Sequence, residues 1–326
     1  MKRTFLLWIG VVALAAVQLL TVSAAADDSA DYLIPPDAAW GMVLDAGKVR
    51  SSALAGQIME HFDEAERAKV DEMIDGLSNM IGLNLRQDLG RIVVFGDSFA
   101  PADTAVAVDI GDARTNIEGF LLTNESYRSY DYGDLIIHSI QDPHKPRCYC
   151  AVIPGGDAQS GVLLMSPGQE KIESLVDAAK AGAKVSRPDA LGEGDFFRLW
   201  IERIPEDVFE GQPRQSNIAG MIQSLEIVGF TGEVDTSFAL SVSLTNPARA
   251  QQIYQMAAGG KAMVEFAAAS DADAAKLADL LAYVRVEQPE DDSNMLRITA
   301  RCDNEGLAAV LQMLDDAGAF RDLGLN

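Results

Sequence analysis

Arg91–Ile110 reads RIVVFGDSFAPADTAVAVDI, and Leu225–Leu244 reads LEIVGFTGEVDTSFALSVSL. Each opens on an apolar run of strand length, breaks at glycine, and passes through an Asp-Thr pair. Each then alternates: Val106, Val108 and Ile110 in one, Phe238, Leu240, Val242 and Leu244 in the other. Alternation at period two predicts strands with one face buried. A stretch that recurs this way marks an internal repeat, to be sought before any motif is read.

Working outward, the order of elements from about Pro35 to Gly182 returns from about Asp195 to Gly318. Trp40–Leu44 and Phe197–Ile204 open the halves as strands. In the first half, Asp63 and Glu66 resemble a capping box, and Val70, Met73, Ile74, Leu77 and Ile81 form a helical face ended by Gly82. A loop rich in tyrosine, Tyr127 to Tyr132, leads to a hairpin of Leu135–Gln141 and Cys148–Ile153. A further strand, Val162–Met165, and a helix with face Ile172, Leu175, Val176 and Ala179 close the half. The second half places its hairpin at Tyr283–Gln288 and Met295–Arg301. Its closing face is Leu307, Val310, Leu311 and Leu314. It lacks one hairpin strand and gains a helix around Ala257–Ala268.

Hairpins mixed with helices, rather than strict strand–helix alternation, predict an α+β protein. The expectation is two tandem, related domains, each an antiparallel sheet with helices on one face. Their bounds are 27–185 and 190–326, after a segment at 1–26. That first segment has a basic start at Lys2-Arg3, an apolar run from Thr4 to Val22, and small residues at Ser23–Ala26. It reads as a secretory signal peptide with an Ala-x-Ala cut. The chain is then expected outside the cytoplasm, periplasmic or extracellular. Left uncut, the same segment would act as an anchor.

The net charge of −23 falls to −25 without Lys2 and Arg3. Such a surface repels phosphate backbones and anionic lipid, which excludes nucleic acid and, after removal of the signal, a membrane as partners. With 48% hydrophobic residues the chain can bury real cores. Cys148, Cys150 and Cys302 are too few for a disulfide-stapled scaffold, although Cys150 with Cys302 is one pairing the sequence leaves open.

Few motifs carry chemistry. Cys148 and Cys150 alternate on one strand, so both thiols share a face. His138 is expected opposite Cys150, and the three could hold zinc or copper. Cysteine is equally a small buried hydrophobe, and no fourth ligand stands near. Tyr127, Tyr130 and Tyr132 are candidates for an interaction rim toward a protein, glycan or small apolar ligand, or else pack over the sheet. No phosphate loop, zinc-ribbon spacing or EF-hand loop is present. No catalytic, cofactor-binding or metal residue is assigned, and no cofactor is expected.

Ile92–Phe99, with its Gly96-Asp97-Ser98, resembles the first block of the GDSL (SGNH) hydrolases, and Asp142-Pro143-His144 is similar to that family's closing block, one residue short. The resemblance implies an apolar strand that presents Ser98 as nucleophile, with His144 as base. It covers fewer than a dozen residues. His144 follows Ser98 by 46 positions with no histidine beyond it, whereas that fold needs several parallel βα units between the blocks. The second half repeats the strand and loop as Ile227–Gly232 without serine or histidine. A structural turn accounts for both copies. The function expected is therefore non-enzymatic binding or interaction, with a hydrolase, a metal protein and a carrier of apolar ligands as alternatives.

Overall fold

The computed structural model describes residues 34–35, 38–52, 55–56, 64–81, 84, 89–110, 119, 121–122, 124–141, 146–154, 161–180, 191, 194–202, 220–231, 235–303, 306–310 and 312. The signal segment, the helix ends at Gly82, Gly182 and Gly318, and the turn holding His144 lie outside the described residues.

The protein is α+β, built on a large antiparallel sheet. Its strands are β1 (Trp40–Asp45), β2 (Arg91–Gly96), β3 (Thr104–Asp109), β4 (Arg128–Tyr132), β5 (Leu135–Ile140), β6 (Cys148–Pro154), β7 (Gly161–Ser166), β8 (Asp195–Ile201), β9 (Ile222–Thr231), β10 (Asp235–Leu244), β11 (Val284–Glu287) and β12 (Met295–Asp303). Helices among the described residues include α1 (Ala46–Arg50), α2 (Glu64–Ile81), α3 (Gln169–Lys180), α4 (Pro247–Ala267) and α5 (Ala272–Ala282). Among the described residues, 12 strands form one sheet in the order β11-β12-β10-β9-β8-β1-β2-β3-β7-β6-β5-β4.

The halves therefore do not carry separate sheets. β1 pairs antiparallel with β8, from Trp40 opposite Ile201 to Leu44 opposite Phe197. β1 is buried along its whole length. This is why it reads as a continuous apolar run: a central strand covered on both faces has no solvent side to mark with polar residues. At the junction Gly41 lies opposite Trp200, whose indole occupies the space a β-carbon on Gly41 would need.

Alternate residues feed two cores. On one face Met42, Leu44, Ile92, Val94, Val106, Val108, Cys150 and Val152 pack with Val49 of α1. On the other, Val43, Val93, Phe95, Ala105, Ala107, Ile137 and Leu164 pack with Ile172, Leu175 and Val176 of α3. Each such aliphatic side chain contributes about 1.5–3 kcal/mol when fully buried. The expectation of helices on one face is thus corrected for the first half, where α1 and α3 take opposite faces. Both faces of its strands are apolar, and both must be covered.

The second half differs. Leu240, Val242, Leu244, Leu296 and Ile298 pack under α4 through Ala250, Ile253 and Tyr254. The register places Ser237, Ser241 and Ser243 on the reverse side, opposite Arg301, Arg297 and Met295 of β12. Arg198 and Glu226 pair there, Nη2 to Oε1, at 2.6 Å. That side is the hydrated face of an ordinary half-buried sheet.

Two further differences from the sequence reading are local. Tyr127–Tyr132 is not a loop: Arg128–Tyr132 is the edge strand β4, paired with β5. Asn246, whose side chain accepts from the Arg249 N–H, starts one continuous helix to Ala267, so the helix expected around Ala257–Ala268 begins some ten residues earlier. The Gly259-Gly260 pair lies inside it unbroken.

Candidate interaction surface

The structure places each residue that the sequence singled out. Tyr127, Tyr130 and Tyr132 do not form one rim. Tyr127 turns to the face of α1, where its hydroxyl meets His138 Nδ1 at 2.9 Å. Tyr130 and Tyr132 point to the other face. Their hydroxyls donate to Glu173 and Asp177, one turn apart on α3, at 2.8 Å each. Burial, then the Glu173 bond, pushes the Tyr130 phenol well above its ordinary value. The adjoining turn is locked as well. Lys180 Nζ donates to the Tyr132 carbonyl at 2.9 Å and pairs with Asp134 at 2.6 Å. That bond holds the Asp134 carboxyl below its usual range. The phenols thus tie an edge strand to a helix.

His138 does stand opposite Cys150, with Cys148 one step along β6 opposite Ile140. All three share the face the alternation assigned to them. Chemistry there is muted. His138 and Cys150 are both buried, and the imidazole Nδ1 is engaged by Tyr127. Burial, helped by Cys148, pushes the Cys150 thiol up to about 12, and burial raises Cys148 too. Protonated thiols are poor ligands and poor nucleophiles. Among the described residues, no group of three or more His, Cys, Asp and Glu side chains could hold a metal ion. The three cysteines are free. Cys302 lies on β12, separated from β6 by seven intervening strands, so the pairing with Cys150 does not form.

Gly96-Asp97-Ser98 is a structural turn in every member. A β-carbon on Gly96 would press on the Trp40 indole and the Ser98 carbonyl, at 2.8 and 2.9 Å. Asp97 pairs with Lys171 of α3. The Ser98 hydroxyl donates to Asp103 and accepts from the Ala100 N–H at 3.0 Å, while its carbonyl accepts from Trp40 Nε1 at 2.8 Å. Phe99 stacks on the same indole at 5.7 Å between centroids. The strand that delivers Ser98 is antiparallel to its neighbours β1 and β3.

The surface that stands out lies elsewhere, on α4. Its inner face, Ala250, Ile253 and Tyr254, sits on the sheet. Lys261 is turned inward as well, donating to the Leu281 and Val284 carbonyls at 2.7 and 2.9 Å. The outer face carries Met256, Met263 and Phe266, exposed at 63%, 74% and 86%. Between the exposed Arg249, which bonds Gln252, and the exposed Glu265, the inward Lys261 is the one charged residue of the helix. A helix apolar on both sides has one face more than its own domain can cover. Sequence reading missed this surface because its two apolar stripes cancel as an amphipathic signal. The spacing of Met256, Met263 and Phe266 was the trace that could have revealed it.

Among the described residues, no helix is long and apolar enough to cross a membrane. No protein-family model and no curated protein matches the chain. Three crystal forms of TP0453 share some likeness. Form III is 10% identical with a TM-score of 0.44, covering 89% of this chain and 100% of that one. Form IV is 9% identical with a TM-score of 0.43, covering 88% and 97%. Form I is 10% identical with a TM-score of 0.38, covering 89% and 98%.

Proposed function

We propose that this is an exported, soluble, acidic protein of two related α+β repeats that acts by binding rather than by catalysis. The outer face of α4 is its contact surface. The observation that carries the reading is the uncharged, apolar exposure of Met256, Met263 and Phe266 in a chain of net charge −23. Large apolar side chains exposed together along one helix face mark interaction sites.

Duplication is supported by connectivity. In the first half the neighbours run β1-β2-β3-β7-β6, and in the second β8-β9-β10-β12-β11. Counted from the opening strand of each half, β7 and β12 correspond, as do β6 and β11. The first half adds β5 and β4 at its edge, and the second adds the long helix. Function is expected where the copies differ, and α4 is the larger of those differences with an uncovered face.

The test is binding of bis-ANS, a dye that fluoresces on exposed apolar surface. The wild-type protein should enhance its emission. The triple variant Met256→Lys, Met263→Lys, Phe266→Lys should lose that enhancement with an unchanged circular dichroism spectrum. Enhancement retained by the folded triple variant overturns the assignment.

A further inference from the structure

We propose that two copies of this chain pair through the outer side of α4, helix against helix, crossing near Gly259; this rests on the reading of α4 as the contact surface. Gln252, Met256, Gly259, Met263 and Phe266 follow one another at spacings of four, three, four and three. That is the heptad seam by which one helix packs on another, a pattern that a flat or extended partner does not require. The seam is distinct from the inner stripe of Ala250, Ile253 and Tyr254 that holds α4 to its own sheet.

Two further observations favour a second copy as the occupant. At Gly259 and Gly260 an added β-carbon would meet nothing within 4 Å. The helix backbone is therefore open to solvent at the middle of the seam, with Met256 and Met263 standing on either side. A notch between two ridges matches itself about a twofold axis, the symmetry of most homodimers. Charge points the same way. Copies of strong net negative charge repel across most surfaces, and the seam from Gln252 to Phe266, none of whose five residues is charged, is where they can meet at low electrostatic cost. Anionic lipid is opposed by that same charge.

The experiment is sedimentation equilibrium of the protein purified after export, at several concentrations and ionic strengths, alongside three variants. The wild type should sediment with twice the mass of one chain, and its association should tighten as salt screens the self-repulsion. Gly259→Leu adds apolar surface where the single chain has room, so it should fold normally yet shift the midpoint of association at least tenfold toward monomer. The pair Met263→Asp, Phe266→Asp should do the same. Met295→Asp, on the reverse side of the sheet, should leave the midpoint unchanged.

A protein monomeric at all concentrations overturns the pairing. So does a dimer that Gly259→Leu leaves intact, or flotation of the monomer with phosphatidylcholine vesicles. A wild-type monomer that still binds bis-ANS through α4 would overturn only the self-pairing. A monomer without such dye binding would overturn the contact surface as well.

Discussion

Gly133 sits at φ +66 in the tight turn between β4 and β5, and Lys180 Nζ fills the place where a β-carbon would stand. The left-handed backbone is the constraint that demands glycine, since the flexible end of Lys180 can move aside. Gly133→Ala should cost about 1–2 kcal/mol from the left-handed backbone alone, read as a lower urea midpoint. Tyr130 offers a second test at this scale. Its phenol titrates higher in the folded protein than in the unfolded chain, because burial and the Glu173 bond favour the neutral form. Its contribution is fully present below the unfolded value of about 10 and is lost as pH rises through the folded one. Denaturation followed from about pH 9 to about pH 11 should show wild-type stability falling more steeply than that of Tyr130→Phe.

Among the elements, the pair β1–β8 is the one on which the sheet's continuity depends. Gly41 exists there to admit Trp200. Gly41→Val forces the indole aside and should cost about 1–3 kcal/mol, the usual range for overpacking. Combined with Trp200→Ala, the same valine should cost less than the sum of the two single changes, since they act on one space.

This pairing was not legible in the sequence. The strands themselves were, because central strands such as Arg91–Gly96 announce themselves by unbroken β-branched runs. Which strand neighbours which across the junction depends on shape complementarity between residues 159 positions apart, such as Gly41 and Trp200. β4 was hidden for another reason. Its Arg-Ser-Tyr-Asp-Tyr pattern does alternate, but with tyrosines and small polar groups rather than aliphatics, and turns have the same composition. A hairpin turn centred in the sequence near His144, by contrast, sufficed to place His138 across from Cys150. In α4 the glycine pair Gly259-Gly260 lies inside the helix expected around Ala257–Ala268. The continuous helix absorbs the cost of each glycine, about 1 kcal/mol relative to alanine, through its inner packing on the sheet.

For the molecule as a whole, the two ends of the sheet are finished by lysines reaching from helices. Lys180 of α3 bonds the Tyr132 carbonyl at the β4 end, and Lys261 of α4 bonds the Val284 carbonyl at the β11 end. Such guarding blunts the open edges by which sheets aggregate. It leaves the helix faces, rather than the strand edges, as the surfaces for association. Stability and assembly should then separate: changes on the outer face of α4 alter association while leaving the urea midpoint unmoved at concentrations where the chain is monomeric, and changes at Gly41 or Gly133 do the reverse.

The junction of β1 with β8 also means that the covalent link between the halves is dispensable once folding is complete. What holds residues 40–180 to residues 195–303, besides the peptide bonds at 183–190, is a strand ladder of five residue pairs with interlocked side chains. A protease site inserted within 183–190 should yield a nicked protein whose fragments stay together through gel filtration and part only in denaturant. Expressed as separate chains, the same fragments should find each other and restore the native spectrum. The molecule would then behave as a split protein, divisible in sequence at a point where its sheet is continuous in space.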